Sequence, residues 1–263
     1  MDNPVLVQEI GGIRVITLNR PEKLNSFNEA QHVALKAAID AAATDPACRV
    51  VLLTGAGRGF CAGQDLSDRV RPAGGEPPDL GSTLERFYNP LVRAMRAMNK
   101  PIVCAVNGMA AGAGANIALN CDIVLAARSA TFIQSFSKIG LVPDSAGTWV
   151  LPRLIGEARA KALVLTAAPV KADEAERIGM IFRAVDDDRL MDEAMALAGQ
   201  FAAGPTFGLG LAKQALQASW GNSIDAQLDL ERDSQRKAGR SSDYAEGVRA
   251  FMEKRKPDFT GQP

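Results

Sequence analysis

The sequence predicts an α/β fold with a largely parallel sheet, followed by a helical region. Two short runs, residues 50–54 and 102–106, are almost continuously apolar, which is typical of strands buried on both faces. Helical patterns stand between the apolar runs, and strands that alternate with helices favour parallel pairing. From residue 153 onward the pattern is almost entirely helical. We therefore expect an α/β core that ends in packed helices.

The N-terminal segment is predicted to form a β-hairpin and then a helix. β-rich runs at 5–7 and 15–18 flank two glycines at 11–12, which form a common turn between paired strands. Residues 28–43 carry apolar side chains at helical spacing, and the Asp-Pro pair at 45–46 ends this helix. The first buried strand follows directly.

The alternation then continues until the chain becomes helical. A loop rich in proline and glycine over 71–81 precedes a helix over 83–98, and small residues favour another helix over 112–119. Further strands are predicted at 123–125 and 131–133. The later helices are predicted over 158–166, 172–178, 190–203, 208–219 and 224–237, with a last short helix at 251–257.

The chain of 263 residues is long for one domain and short for two ordinary ones. No fixed-period repeat is visible. The boundary between the α/β and helical parts is placed near Gly204-Pro205, although no linker marks it. This division gives a core of residues 1–203 and a C-terminal helical region of residues 204–263.

Composition excludes several classes of function. Lys and Arg number 30, as do Asp and Glu, so the chain lacks the basic footprint of a nucleic-acid binder. The single histidine, His32, disfavours both a histidine-based metal site and a Ser-His-Asp triad. We expect His32 to lie on the surface of its helix and to have no role in the function.

The lack of a visible targeting signal and the spacing of the cysteines predict a cytoplasmic protein. Residues 1–4 contain no basic segment that leads into an apolar stretch, so no signal peptide is visible. No apolar run approaches the ~20 residues that a membrane helix needs, and no membrane association is expected. Cysteines at 48, 61, 104 and 121 lack CxxC spacing and are expected to be reduced core thiols.

Two glycine-rich turns, residues 55–65 and 107–115, each follow a buried strand. Backbone with little side chain can turn its N–H groups toward a ligand, and two converging N–H groups would form an oxyanion hole. A dinucleotide fingerprint is disfavoured because its third glycine would fall at Phe60, and neither turn has the GK[ST] ending of a P-loop. Tight turns with close helix packing are an equal alternative.

Three blocks in these regions carry a family resemblance. The sequences FCAGQDL at 60–66, NGMAAGAG at 107–114 and GLVPDSAGT at 140–148 resemble the signature blocks of the crotonase (enoyl-CoA hydratase/isomerase) superfamily. The resemblance extends over essentially the whole chain. It implies a spiral of ββα units with a C-terminal helical trimerisation region. It also implies that acyl-CoA binding and catalysis lie in the core of residues 1–203.

The resemblance assigns the catalytic roles. It implies that the N–H groups of Ala62 and Ala113 form an oxyanion hole for an acyl-CoA thioester, and that Asp144 is the base. An N-cap of the following helix is the alternative interpretation of Asp144, and the two roles can coexist. Hydratases of the family carry glutamates at the positions of Asn116 and Phe136. Simple hydration is therefore disfavoured.

The resemblance also suggests a set of CoA-binding residues. Those from the first half of the chain are Lys23, Leu24, Gln64, Asp65 and Leu66, together with Ala62, and those from the tail, often supplied by a neighbouring subunit, are Phe251 and Lys254. Three aromatic residues are predicted either to line the acyl pocket or only to pack in the core: Phe87, Phe136 and Trp149. Candidates for a second acid are Asp68, Asp79 and Glu85.

The implied activity is an acyl-CoA isomerisation by an enolate-stabilised proton shift. The suggested substrate is ring-1,2-epoxyphenylacetyl-CoA, which would become an oxepin-ylidene ester, and Δ3,Δ2-enoyl-CoA isomerisation is implied as well. One base and one oxyanion hole suffice for this reaction, so no metal or redox cofactor is expected, and CoA is part of the substrate. A homotrimer or hexamer is expected from the family. The alternatives are an aliphatic enoyl-CoA hydratase/isomerase, dehalogenase-type attack by Asp144, and a non-catalytic scaffold that binds CoA or RNA.

Overall fold

The strands form two sheets in the computed structural model, which describes residues 3–69 and 79–263. The larger sheet has the order β1-β2-β3-β5-β7-β10 and the smaller sheet the order β4-β6-β8-β9. Only β1–β2 and β8–β9 pair antiparallel. The strands are β1 Val5–Ile10, β2 Ile13–Leu18, β3 Val50–Gly55, β4 Gly59–Cys61, β5 Ile102–Val106, β6 Met109–Ala111, β7 Ile123–Ala127, β8 Thr131–Ile133, β9 Val170–Lys171 and β10 Arg183–Val185.

The central strands alternate between the two sheets. Strands β3, β5 and β7 lie side by side in the larger sheet, and each is followed within a few residues by β4, β6 or β8 of the smaller sheet. Helical structure follows each such pair before the chain returns to the larger sheet. This arrangement is a spiral of ββα units, so the predicted fold class is confirmed.

The helices largely match the predicted segments. Their bounds are α1 Glu29–Thr44, α2 Leu80–Thr83, α3 Asn89–Ala97, α4 Ala113–Leu119, α5 Gly147–Ile155, α6 Glu157–Thr166, α7 Ala172–Arg177, α8 Leu190–Ala202, α9 Thr206–Ala218, α10 Ile224–Ala238 and α11 Ser242–Glu253. A π-helical turn, Leu84–Tyr88, joins α2 to α3. Most of the predicted loop at 71–81 lies outside the described residues.

Four short strands, β4, β6, β9 and β10, were missed by sequence analysis. Strands β4, β6 and β10 have three residues each, and β4 and β6 lie inside the glycine-rich turns. A run of three residues is too short to show strand periodicity against its glycine neighbours. The runs β3 and β5, by contrast, were recognised because they are almost continuously apolar, and every residue in them is buried in the structure.

The C-terminal tail corrects another prediction. The helix predicted at 251–257 is the end of α11, which stops at Glu253, and the chain beyond it is not helical. Asp243 of α11 accepts hydrogen bonds from the backbone N–H groups of Thr260 (2.7 Å) and Gly261 (2.8 Å). The tail therefore folds back over its own helix.

A second carboxylate strengthens this hold on the tail. Glu246 accepts hydrogen bonds from Arg255 (Nη2, 3.0 Å) and from the backbone N–H of Asp258 (3.0 Å). The tail also reaches the core, because Arg49 donates to the Phe259 carbonyl oxygen at 3.3 Å. We call Asp243, Glu246 and the groups bound to them the tail clamp.

The helical region after residue 204 contacts the core through polar groups. Arg49 binds Thr206 (Nε to Oγ1, 2.6 Å), and Lys213 pairs with Asp122 at 2.8 Å. The boundary near residue 204 stays a prediction. Among the described residues, no helix is both long and apolar enough to cross a membrane.

Candidate active site

A cavity of about 380 Å³ opens beside the smaller sheet. Its walls are mostly apolar, with Leu66, Leu80, Leu84, Phe136, Ile139, Leu141 and Val142 among the lining residues. The polar side chains that line it are Gln64, Thr83, Tyr88, Ser135 and Asp144. Asp144 is thus the only carboxylate among the described lining residues. An apolar pocket with few convergent polar groups is typical of a small-molecule site.

Three turns that line the cavity follow three adjacent strands. Strands β4, β6 and β8 are parallel neighbours in the smaller sheet, and their carboxyl ends therefore meet at one edge. Gln64 follows β4, Ala113 follows β6, and the turn that carries Asp144 follows β8. Ligands of α/β sheets commonly bind at the carboxyl ends of the strands. The fold thus brings together residues that are far apart in the sequence.

The structure contradicts the role predicted for Ala62. Although Ala62 lines the cavity, its N–H donates to the Leu24 carbonyl oxygen at 2.9 Å. The N–H of Gly112, in the second turn, donates to the Ile133 carbonyl oxygen at 2.8 Å. Neither group can serve an oxyanion without breaking a backbone hydrogen bond.

Two other backbone N–H groups remain open to the cavity. Within the described part of the chain, no hydrogen-bond acceptor is found for the N–H of Gln64 or of Ala113, and both residues line the cavity. Their turns touch, since a Cβ on Gly63 would lie 2.9 Å from the Ala111 carbonyl oxygen and 3.5 Å from the Ala113 nitrogen. The available pair of donors is therefore Gln64 and Ala113.

The sequence held a signal for Gln64. Gly63 has φ of +91°, a left-handed conformation that favours glycine, and it sets the direction of the residue that follows. The neighbouring thiol of Cys61 is fully buried, and burial raises its pKa to about 12. Cys61 is therefore a neutral core thiol and not a nucleophile for this cavity.

The side chain of Gln64 is held from both ends. Its Oε1 accepts a hydrogen bond from the hydroxyl of Tyr88 at 3.0 Å, and its Nε2 donates to the Phe27 carbonyl oxygen at 2.9 Å. Tyr88 is 1% exposed and lies in the π-helical turn. Sequence analysis did not identify Tyr88, because a tyrosine within a helical pattern carries no sign that its hydroxyl reaches a distant loop.

Asp144 lies in a strained turn ahead of α5. Ser145 and Ala146 have φ of +49° and +60°, and each left-handed non-glycine residue costs about 1–2 kcal/mol. Ser145 donates its hydroxyl to Asp144 Oδ1 at 2.9 Å. The helix begins at Gly147, with Ala146 in the N-cap position and no side-chain cap. The alternative interpretation of Asp144 as an N-cap is therefore wrong.

The two positions where hydratases of the family carry glutamate have other roles here. Asn116 is completely buried, and its Nδ2 donates to the Asp144 carbonyl oxygen at 2.8 Å. Phe136 lines the cavity, as one of its predicted roles requires. Neither side chain can carry a proton to or from a water molecule.

The predicted CoA-binding residues divide into three groups. Gln64 and Leu66 line the cavity. Lys23 is exposed, and Leu24 packs so closely on the first turn that a Cβ on Gly59 would lie 3.3 Å from its Cδ2. In the described part of this chain, Phe251 and Lys254 do not line the cavity; they lie at the end of α11, and Phe251 is 82% exposed.

Asp65 serves the fold of the first turn and does not line the cavity. It is 7% exposed, and its carboxylate accepts from the Ser67 hydroxyl (2.5 Å) and pairs with Arg20 (3.0 Å). The Ser67 hydroxyl first, and then Arg20, hold the pKa of Asp65 below its usual value. The prediction that Asp65 contacts CoA finds no support in this geometry.

Several other predicted lining or acidic residues lie elsewhere. Trp149 packs between Arg96 and Arg153, whose guanidinium carbons are 4.3 and 4.0 Å from its ring centre, on a groove other than the cavity. Asp79 caps α2, and Glu85 pairs with Arg93 at 3.1 Å. The side chain of the remaining candidate, at position 68, lies outside the described residues.

His32 is not on the surface, as sequence analysis expected. It is 3% exposed and is stacked between Phe27 and Phe87, with ring centres 4.6 and 5.0 Å away. The edge of Tyr88 lies against the same ring at 4.3 Å. Phe87 therefore packs on His32 and is not among the residues that line the cavity.

Comparison with known proteins places this geometry in a family. Residues 8–262 match the family model described as enoyl-CoA hydratase/isomerase. The chain is 57% identical to 1,2-epoxyphenylacetyl-CoA isomerase of Escherichia coli strain K12, over 95% of this chain and 96% of that protein. It is 33% identical to crotonyl-CoA hydratase of Syntrophomonas wolfei, over 97% of each chain.

A solved structure agrees over the same length. The crystal structure of enoyl-CoA hydratase from Bacillus anthracis is similar with a TM-score of 0.92 and 30% identity, over 98% of this chain and 100% of that one. The match therefore includes the fold, the order of the elements and nearly the full sequence. The chain belongs to the enoyl-CoA hydratase/isomerase family.

Proposed function

We propose that this protein is an acyl-CoA isomerase that converts ring-1,2-epoxyphenylacetyl-CoA to the oxepin-ylidene-acetyl-CoA, and that it also isomerises Δ3-enoyl-CoA to Δ2-enoyl-CoA. The observation that carries the proposal is a cavity with one carboxylate, Asp144, and two open backbone donors among its described lining residues. The 57% identity to the isomerase of Escherichia coli supports the choice of substrate.

The first step is removal of a proton from C2 of the thioester. The electron pair of the C–H bond moves into the C1–C2 bond, and negative charge develops on the thioester oxygen. The N–H groups of Gln64 and Ala113 are the proposed donors to that oxygen. One such donor is typically worth ~10²–10³ in rate.

Asp144 carries the proton from C2 to C4. Its carboxylate accepts the proton at C2, the enolate electrons return through C2 to form the C2–C3 double bond, and the former C3–C4 pair takes the proton at C4. The substrate and product have the same atoms, and the carboxylate is regenerated. A single positioned base suffices for this transfer.

The aromatic substrate follows the same scheme. A ring epoxide of this kind is in valence equilibrium with the seven-membered oxepin. Moving the C2 proton to the ring's γ position produces an exocyclic double bond conjugated to the thioester, which traps the oxepin. Because every step is acid–base chemistry, we propose no cofactor beyond the CoA of the substrate.

CoA binding and assembly complete the proposal. Lys23 and Leu24 lie on the turn that packs on the first glycine-rich segment, and this position supports the proposal that they contact the nucleotide and pantetheine. Phe251 is exposed at the end of α11, which suits a contribution with Lys254 to a neighbouring subunit's CoA. The proposal also includes assembly into a homotrimer or a hexamer. It places the protein in the cytoplasm, where it would act in phenylacetate breakdown.

Hydration of aliphatic enoyl-CoA is the closest alternative. It needs carboxylates that hold water and accept its proton, and Asn116 and Phe136 supply none. Dehalogenase-type attack by Asp144 would leave a covalent aryl ester on the enzyme. A scaffold that only binds CoA or RNA would show no turnover.

The test is an assay of the purified protein with ring-epoxidised phenylacetyl-CoA, a 3-enoyl-CoA and crotonyl-CoA. In H₂O, we expect the first two substrates to give products of unchanged mass with the absorbance of a conjugated thioester. In D₂O, we expect these products to carry deuterium at C4. Fast addition of one water to crotonyl-CoA would support the hydratase alternative. A stable mass adduct on the protein would support nucleophilic attack instead.

A further inference from the structure

Three buried side-chain amides lie beneath the turn that carries Asp144. Asn116, Asn120 and Gln134 are 0%, 6% and 4% exposed, respectively. Asn116 and Asn120 lie one helical turn apart at α4 and its C-terminal end, and Gln134 directly follows β8. We call these three residues the amide network.

In the hydrogen bonds between the network and the turn, the side-chain amides of the network are the donors. Asn116 Nδ2 donates to the Asp144 carbonyl oxygen (2.8 Å), and Asn120 Nδ2 donates to the Ser145 carbonyl oxygen (2.9 Å). Because a carbonyl oxygen can only accept, the Oδ1 of Asn116 must face away from the turn. It accepts there from Gln134 Nε2 at 2.8 Å.

The network lowers the stability of the fold, because it leaves polar atoms buried without hydrogen-bond partners. In the described part of the chain, Asn120 Oδ1 and Gln134 Oε1 are buried without a hydrogen-bond partner. Apolar side chains of similar size would fill the same space without this penalty. Packing alone therefore does not account for three amides at this place.

The supported turn needs external restraint. Two successive left-handed residues, Ser145 and Ala146, separate Asp144 from α5, and such conformations persist only where the surroundings fix them. The network binds the carbonyl groups of Asp144 and Ser145, which are the two peptide units next to this strain. The contact is close, because a Cβ on Gly147 would lie 2.2 Å from Asn116 Nδ2.

We propose that Asn116, with Gln134 and Asn120 in support, is a positioning residue that fixes the carboxylate of Asp144 against C2 and C4 of the substrate. This inference rests on the proposed function. Neutral amides suit the task, since they restrain the backbone of the base without placing a further charge beside it. Asn116 itself touches no substrate atom, because its side chain is fully buried.

The experiment compares Asn116→Ala and Asn116→Asp with wild type on a 3-enoyl-CoA. Asn116→Asp keeps the shape and the oxygen that faces Gln134 but removes the donor to Asp144. Because it also adds a charge near Asp144, Asn116→Ala is the variant that tests loss of the hydrogen bond without a new charge. We expect kcat to fall about 100-fold in both variants, as for a displaced catalytic group, while KM changes less than about threefold. Gln134→Met, one bond further away, should lose about tenfold.

A second measurement reports on proton removal alone. The exchange of the C2 hydrogens of phenylacetyl-CoA in D₂O, followed by NMR, should slow in the Asn116 variants by the same factor as kcat. Thr54→Val is the matched control, because it removes one buried side-chain hydrogen bond to a backbone carbonyl oxygen (Ala105, 2.8 Å) away from the cavity. It should lower Tm and leave kcat and the exchange rate unchanged.

The outcomes separate the inference from the proposed function. A folded Asn116 variant, or Gln134→Met if the Asn116 variants do not fold, with kcat and exchange within about threefold of wild type would overturn the positioning role. A rise in KM at unchanged kcat would overturn it as well. Wild-type protein that isomerises neither substrate would refute the proposed function, and the inference with it.

Discussion

The amide network and the tail clamp are two ways of fixing a segment of chain by polar contacts. The network holds the turn of Asp144 with neutral amides only. The tail clamp holds residues after α11 with two carboxylates and arginine. Hydrogen bonds to charged groups are stronger than hydrogen bonds between neutral groups. Charged groups also titrate, and they raise or lower the pKa of neighbouring groups.

The difference follows from what each segment does. A carboxylate that must accept and release protons is sensitive to every nearby charge, so its backbone is better fixed by uncharged donors. The tail carries no group that takes part in the proposed reaction, so ion pairs there do not disturb the proton transfer. Changes around the cavity should therefore lower turnover, whereas damage to the tail clamp should lower stability.

The largest effect is expected at Asp144. Asp144→Asn keeps the shape of the side chain but removes the base, and kcat should fall by about 10⁴-fold, the upper end of what a positioned base contributes. Binding of the CoA ester, measured by calorimetry, should survive. A variant with near-normal turnover would exclude Asp144 as the proton carrier.

The next effect is expected at Ala113, the proposed oxyanion donor. Ala113 is the first residue of α4, where proline is accepted, so Ala113→Pro removes the N–H without breaking the helix. Turnover should fall by about 10²–10³-fold. Ala113→Gly keeps the N–H and is the matched control. Circular dichroism must show an intact fold, and equal turnover in both variants would argue against this donor.

A smaller effect is expected at the hydroxyl of Tyr88. Tyr88→Phe removes the hydrogen bond to Gln64 Oε1 while the ring stays packed against His32 and Phe27. One hydrogen bond is worth about 1 kcal/mol, which corresponds to about fivefold in kcat/KM if the bond orients the Gln64 N–H. Steady-state kinetics tests this. An unchanged kcat/KM would mean that the glutamine is oriented by Phe27 alone.

The tail clamp should affect stability and not turnover per folded enzyme. Arg255 first, and then the Asp258 N–H, hold the pKa of Glu246 well below its unpaired value of 4.5. A lowered folded-state pKa stabilises the fold above about pH 4.5 and loses this contribution as the pH falls below it. Glu246→Gln should therefore lower Tm by a few degrees at pH 7.

The same comparison at acid pH checks the sign. The difference in Tm between wild type and Glu246→Gln should shrink as the pH falls below about 4.5, since the wild-type carboxylate then takes up a proton on unfolding. A difference that grows in acid would contradict the assignment. Loss of kcat in Glu246→Gln at pH 7 would show that the tail reaches the active site.

The main features of the fold could be predicted because they are written in long patterns. The strands β3 and β5 are apolar at nearly every position, and the later helices repeat their apolar residues over three or four turns. Strands β4 and β6 could not be predicted in this way, since each has three residues among glycines, whereas the equally short β8 has a β-rich sequence, Thr-Phe-Ile, and was predicted. Their partners are strands some 50 residues away, and only the assembled sheet defines them.

The site was predictable to the level of its turns, but not of its atoms. The glycine-rich segments and Asp144 were located by their spacing and by family resemblance. Which N–H is free depends on a carbonyl group of Leu24, which lies far from Ala62 in sequence. The role of Asn116 depends likewise on a residue 28 positions away. Such pairings are decided by tertiary packing.

The alternation of strands between the two sheets has a consequence for how new reactions can arise on this frame. The proposed oxyanion donors follow the first two strands of the smaller sheet, β4 and β6, whereas the proposed proton carrier follows the third, β8. Replacing the third turn alone would redirect one common enolate toward a different fate while the grip on the thioester is conserved. Chemical diversification therefore requires rewriting a single modular segment and not the whole enzyme.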